Sequence, residues 1–362
     1  MPLIIRYAII TLTPAVFIVF GAFFGGVWPA LALIWLTVLT AGMDQILPDA
    51  RADDRAEPWA TRLSIGLAIL HLALIPTVLA GLGNPNTSFG AQILLFFATA
   101  SFMGQVSHAN AHDLIHRRDR RLFALGAAVY ASILYGHHVS AHRMVHHAHV
   151  GTPEDPATPR HGEGFWSYVA RAWPGNIAAG WEAEVARLSR RNLPIWSQEN
   201  PYLFWLVGAV LSLAVAVMIG GFLGLVVFLL LIGLVHLQML LSDYIQHYGL
   251  QRLRLPGGRV EPVGPHHSWD APSGFSALLL MNAPRHSEHH RHPDRPYQAL
   301  GSAEPGPRLP YPLPIMAVLA VFPPLWQRVM DRRALKVMEA AKARLGIDDS
   351  VAPGDVRKAL IG

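Results

Sequence analysis

Six apolar stretches, each long enough as a helix to cross a bilayer or nearly so, constrain this chain more than any other feature. They cover about residues 7–24, 28–47, 63–82, 89–108, 203–218 and 221–241. A helix needs roughly 20 residues to cross the hydrocarbon core. Strand-type alternation is absent, so the runs predict helices, not a barrel. Composition agrees: 15% of the 362 residues are charged and mean hydropathy is +0.31, against about 25% charged in soluble domains. The first run is followed at once by a second, with no small-residue cleavage site between them, so a removable signal peptide is not expected. The reading is an all-α integral membrane protein of six transmembrane helices, a single domain over 1–362. Its large cytoplasmic segments are 109–201 and 242–362.

Orientation follows from charge. The short loops 25–27, 83–88 and 219–220 carry no charge, whereas Arg51, Arg55, Arg62, Arg117, Arg118, Arg120 and Arg121 lie on the opposite side. The positive-inside rule then places both termini and every charged segment in the cytoplasm, at the inner membrane. The net charge of +5 is read as headgroup contact, with no nucleic-acid partner. Residues 315–322, bracketed by prolines, read as interfacial or re-entrant, and 332–345 as a solvated helix.

The second anomaly is 19 histidines and no cysteine. Without cysteine there is no disulfide, thiolate haem or cysteine-held iron–sulfur cluster. Three histidine clusters and one single histidine lie on the predicted cytoplasmic side, His112, His116 and His247 within a few residues of predicted membrane ends. His112 and His116 are spaced i,i+4, which predicts neighbours on one face of a continuation of the fourth span. His142, His146 and His147, like His286, His289 and His290, combine helical spacing with an adjacent pair, so that one segment can serve two ions. His247 follows the sixth span. Imidazole suits iron, copper, zinc and nickel. Eight or nine such ligands exceed the needs of one ion, so two are implied. Neutral imidazoles leave two divalent ions strongly positive, which favours a bound oxide, hydroxide or carboxylate. His266 and His267 are read as donors near the site.

These motifs resemble the integral-membrane non-haem di-iron alkane 1-monooxygenases, of the desaturase-like superfamily. His112-Asp-Leu-Ile-His116-Arg is similar to that family's first box. Ala141-His142-Arg-Met-Val-His146-His147, followed by Thr152-Pro-Glu-Asp155-Pro-Ala, is similar to the second. Asp243-Tyr-Ile-Gln246-His247-Tyr248-Gly249-Leu250 resembles its eight-residue signature, His266-His267-Ser-Trp-Asp270 the motif after it, and Arg285-His286-Ser-Glu288-His289-His290-Arg-His292-Pro the last box. Four positions depart from the pattern: Asp113 replaces a glutamate, Ala141 a glutamate, Asp243 an asparagine and Gln246 a glutamate.

The resemblance implies two irons held by His112, His116, His142, His146, His147, His247, His286, His289 and His290. Asp113, Asp155, Asp243, Asp270 and Glu288 stand beside them. It also implies O2-dependent terminal hydroxylation of n-alkanes, one oxygen atom entering the alcohol and the other leaving as water. The chain carries no dinucleotide fingerprint, so electrons come from rubredoxin and its reductase. Arg117, Arg118, Arg120, Arg121, Arg190 and Arg191 are a candidate docking face, although positive-inside topology explains the same arginines. The alkane enters from the bilayer, and Trp35 and Leu36 on the second span are candidate tunnel residues. A hydroxylase of alkyl-aromatic methyl groups, a fatty acyl desaturase or hydroxylase, and a histidine-rich metal transporter remain as alternatives.

Overall fold

Each apolar run becomes a helix, and the helices are joined in hairpins. The structure is a computed structural model describing residues 2–49, 52–53, 57–255, 257–272, 274–301 and 306–347. Arg51 and Arg55 lie outside the described residues. Helix α1 is Leu3–Phe24, α2 Trp28–Met43, α3 Glu57–Leu82 and α4 Phe89–Ile115. The α1–α2 turn uses Gly25 and Gly26, both at φ 61, a backbone region that costs glycine nothing. A β-carbon on Gly25 would come within 2.9 Å of Thr87, so the uncharged loops 25–27 and 83–88 meet at one end. Helix α2 stops at Met43, before the expected residue 47, and is about 24 Å long. Asp44 there turns to accept from the Gly274 and Ser276 amides.

Helix α5 is Arg120–Ser132. α6 is assembled from His137–Ser140, a π-helical turn Ala141–His146 and His147–His149. α7 is Phe165–Arg190 and buries one face through Phe165, Tyr168, Ala172, Asn176, Gly180, Glu184 and Leu188. α8, Pro201–His247, has 47 residues, about 70 Å if straight. It is not straight. Gly221 is at φ 58, ψ −147, and the carbonyl of Ala216 lies 2.6 Å from where a β-carbon on Gly224 would sit. Both halves reach the same turn after α5: Trp205 lies against Gly136, and His236 Nε2 donates to the Ile133 carbonyl at 2.7 Å. The two apolar runs 203–218 and 221–241 are therefore the arms of one hairpin.

Short helices α9 (Phe275–Leu279) and α10 (His286–Arg291) precede α11 (Leu313–Val321) and α12 (Pro323–Leu345). α12 is less solvated than the charge pattern predicts. Trp326, Met330, Ala334 and Ala341 form a buried stripe, and Trp326 meets the rings of Tyr244 and Tyr248 at 5.3 Å each.

The outward faces stay apolar: Phe204, Leu206, Val210, Phe222, Leu223 and Leu230 of α8 are all exposed. A soluble surface rarely carries an apolar patch of that extent. This is an all-helical membrane protein. Two cores meet where the histidines lie. One contains Ala109 and Ala111, which flank His112 in space; the other contains Ile245 and Tyr248, which flank His247.

Candidate metal centre

The nine expected histidines converge into two groups. His112, His116, His142, His147 and His289 form one; His146, His247, His286 and His290 form the other. Within each, the candidate ligand atoms lie within 4.8 Å of one another. Nε2–Nε2 separations are 2.8 Å for His112–His142, 2.9 Å for His142–His147, 2.9 Å for His247–His286 and 3.1 Å for His286–His290. Imidazole nitrogens bound at about 2.1 Å to one ion, at right angles, would be about 3.0 Å apart.

Local backbone decides which histidine joins which group. α4 continues past its apolar part, and regular α-helical spacing aligns His112 with His116. In α6 the π-turn changes the register. Its i→i+5 bonding brings His142 beside His147 and sends His146, four residues on, to the other group. In α10, ordinary i,i+4 spacing pairs His286 with His290, and His289 faces the five-histidine group. Two segments thus each serve both groups.

The residues fit metal ions. His116 Nε2 and His146 Nε2 are buried without a hydrogen-bond partner, although such atoms ordinarily find one. The far ring nitrogens are tied down. His146 Nδ1 donates to Asp155 Oδ2 at 2.8 Å, and His247 Nδ1 donates to the His267 carbonyl at 3.1 Å. Each bond fixes the tautomer that leaves an Nε2 lone pair facing inward. Burial, and then neighbouring imidazoles, hold His142, His147, His286, His289 and His290 well below the ordinary value of 6.5, so they are neutral and available as ligands. His146 differs: burial is the largest effect and lowers its pKa, but the charge and hydrogen bond of Asp155 together with the Asp243 carboxylate raise it overall.

The flanking acids hold the frame. Asp113 accepts from Arg117 Nε and from the Tyr297 amide. Asp270 accepts from the Ser287 amide and hydroxyl and from the Gly306 amide, securing the first turn of α10. Glu288 pairs with Arg295. Tyr297 and Arg295 carry no signal in the sequence that links them to the site, whereas Ser287 lies inside the last box. Arg117 is 9% exposed and bound to Asp113, so it does not belong to a docking face. Arg118, Arg120, Arg121, Arg190 and Arg191 are exposed.

A third group, Glu261 with His266 and His267, is already satisfied internally. His267 Nε2 donates to one oxygen of Glu261 at 3.0 Å, His266 Nε2 lies 3.2 Å from the other, and Arg344 donates to His266 Nε2 at 2.7 Å. The same segment carries the His267 carbonyl that receives His247.

Beside the histidines lies a cavity of about 50 Å³, bordered by Gly104, Gln105, His108, His138, Asp243 and Leu280 as well as His112, His142 and His286. Trp35 and Leu36 do not border it. The Trp35 indole donates to the Ile10 carbonyl at 3.1 Å and packs on Phe17 and Phe275, and Leu36 is buried.

Comparison with known proteins bears on this arrangement. Residues 85–313, which contain all nine histidines, match the fatty acid desaturase family. The chain is 30% identical over 321 residues to alkane 1-monooxygenase 2 of Pseudomonas aeruginosa, covering 86% of this chain and 85% of that protein. The chain belongs to the alkane 1-monooxygenase family. It is also 36% identical over 244 residues to alkane 1-monooxygenase 1 of Alcanivorax borkumensis, covering 67% of this chain and 60% of that protein. Similarity reaches the xylene/toluene monooxygenase hydroxylase component XylM of Pseudomonas putida, at 26% over 92% of this chain and 89% of that protein. Members of this family are monooxygenases by name, and each of the histidine groups described above is able to hold a metal ion.

Proposed function

We propose that the chain is a terminal hydroxylase of n-alkanes that uses O2 and electrons from rubredoxin, itself reduced by rubredoxin reductase, at two irons. The observation that carries this reading is the convergence of five and four imidazoles beside a small cavity. Iron held there would supply the redox chemistry that a terminal C–H bond demands, because no side-chain acid or base can activate such a bond. Asp155 and the His267 carbonyl orient the imidazoles, Asp270 and Asp113 brace the segments that carry them, and burial keeps bulk water out.

The six apolar rods α1 to α4 and the two arms of α8 are read as six spans at the inner membrane, with both termini and the histidines on the cytoplasmic side. The alkane then arrives from the lipid, with Trp35 and Leu36 limiting its length. Exposed Arg118, Arg120, Arg121, Arg190 and Arg191 suit an acidic electron carrier. The similarity to the xylene/toluene enzyme over nearly the whole chain supports a second reading, hydroxylation of alkyl-aromatic methyl groups. Membranes containing the chain, supplied with rubredoxin, reductase and NADH and offered octane, dodecane and p-xylene together, separate the two. Mainly 1-alkanols support the first reading; mainly 4-methylbenzyl alcohol replaces it with the second.

A further inference from the structure

Helix α7 lies outside the six apolar rods, yet most of its outward face is apolar. Between Phe165 and Trp181 its only charged residue is Arg171. That guanidinium turns back to Glu163 and to the carbonyls of Pro156 and Thr158. The outward positions of this stretch are Trp166, Ser167, Ala170, Pro174, Ile177 and Ala178. Trp166 is 50% and Ile177 44% exposed, so neither is covered by the protein's own packing. Charge resumes at Glu182 and reaches Arg190, both exposed. One helix thus turns an apolar face outward over its first two-thirds and a charged one over its last third.

Contacts near its two ends fix how α7 lies. At its start, Phe165 and Tyr168 meet the Tyr244 ring at 5.5 and 5.3 Å, and the Tyr244 hydroxyl donates to the Glu163 carbonyl at 2.7 Å. About 24 Å further along its axis, Trp181 meets the Tyr202 ring at 5.1 Å. Tyr202 lies in the first turn of α8 and Tyr244 in its last, so both stand at the open end of the hairpin, opposite Gly221. A helix that joins two points at one end of a membrane hairpin runs along the membrane surface, not through it. Its apolar face is continuous with more of the same. The Trp166 indole donates to the Val321 carbonyl at 3.1 Å, and Val318, Phe322 and Leu325 beyond it are exposed, as is Phe204 near Tyr202. An amphipathic helix in the plane of a bilayer sinks its apolar face about 5–10 Å into the boundary of headgroups and acyl chains, a level that tryptophan favours. We infer that α7 is such a helix: from Trp166 to Ala178 its outer face rests on phospholipid, with α11 beside it, and from Glu182 to Arg190 it leaves the lipid for water.

This placement is independent of the catalytic reading, and its test needs no metal. The chain has no cysteine, so a nitroxide on one introduced cysteine reports one position. Full-length protein carrying Ala170→Cys, Ile177→Cys, Val318→Cys, Glu182→Cys, Arg190→Cys or Val210→Cys is labelled and reconstituted in phosphatidylcholine–phosphatidylglycerol vesicles. All six positions are exposed, so the changes disturb no packing. EPR then measures collisions with O2, which concentrates in lipid, and with a water-soluble nickel chelate. At Ala170→Cys, Ile177→Cys and Val318→Cys, O2 collisions should dominate, at a depth of about 5–10 Å. Glu182→Cys and Arg190→Cys should meet mainly the chelate, and Val210→Cys on the outer face of α8 should lie deeper than all of them. Labels at Ala170→Cys and Ile177→Cys that meet the chelate as often as the one at Glu182→Cys overturn the inference. Labels there shielded from both reagents, with dipolar broadening that grows with the protein-to-lipid ratio, overturn it in favour of a second copy of the chain.

Discussion

Replacing Asp155 by asparagine tests how this protein keeps its ligands ready. In the native chain His146 Nδ1–H donates to Asp155 Oδ2 at 2.8 Å, so Nε2 carries the lone pair that faces His247, His286 and His290. An asparagine amide placed with its nitrogen toward His146 reverses the bond. It donates to Nδ1, the imidazole proton moves to Nε2, and the inward lone pair is lost. The amide oxygen, at the Oδ1 position, still accepts from the Ala157 amide at 3.0 Å, and the Thr158 hydroxyl, which donates to Oδ2 at 2.7 Å in the native chain, turns to accept from the new amide nitrogen. The fold therefore has little reason to change. Loss of such an orienting partner lowers metal affinity roughly 10–100-fold, or about 1.4–2.8 kcal/mol. The effect should fall on one of the two ions, because the five-histidine group does not contain His146. Iron per chain after dialysis against a ferrous chelator should drop from two toward one, with the gel-filtration profile preserved. Two irons retained with wild-type release kinetics would show that the Asp155 bond does not set the tautomer.

Two further outcomes follow from the architecture. Reporter fusions at Asn84 and after Leu345 should lie on opposite sides of the membrane, and a same-side result removes the six-span topology. Leu36→Ala should extend the longest alkane accepted, and Leu36→Trp should shorten it. A pocket methylene is worth about 0.8 kcal/mol, or about fourfold in relative rate. Competition across C6 to C18 reads this, and identical length profiles in both variants exclude α2 from the tunnel.

The histidine boxes were legible because their spacing reflects helix periodicity. The partition among them was not, because nothing in Ala141-His142-Arg-Met-Val-His146 announces a π-turn, and that turn moves His146 away from His142's group. The hairpin at Gly221 was visible as an uncharged break between two apolar runs. The contact that turns Arg117 inward was not, because Asp113 is equally well explained as a member of the first box until Tyr297, 184 residues away, is seen to share it. Tertiary contacts of that range leave no periodic trace. The bond from the Trp35 indole to the Ile10 carbonyl was equally illegible, because it joins residues 25 apart on two different helices.

The most direct test of the central claim is isotopic. Membranes containing the chain, rubredoxin, reductase and NADH are given dodecane under 18O2 in ordinary water, and the products are analysed by mass spectrometry. The account predicts 1-dodecanol carrying one 18O atom, abolished by His146→Ala and by His289→Ala with the protein still folded. Products lacking 18O, an alkene in place of the alcohol, or full activity in both histidine variants would contradict it.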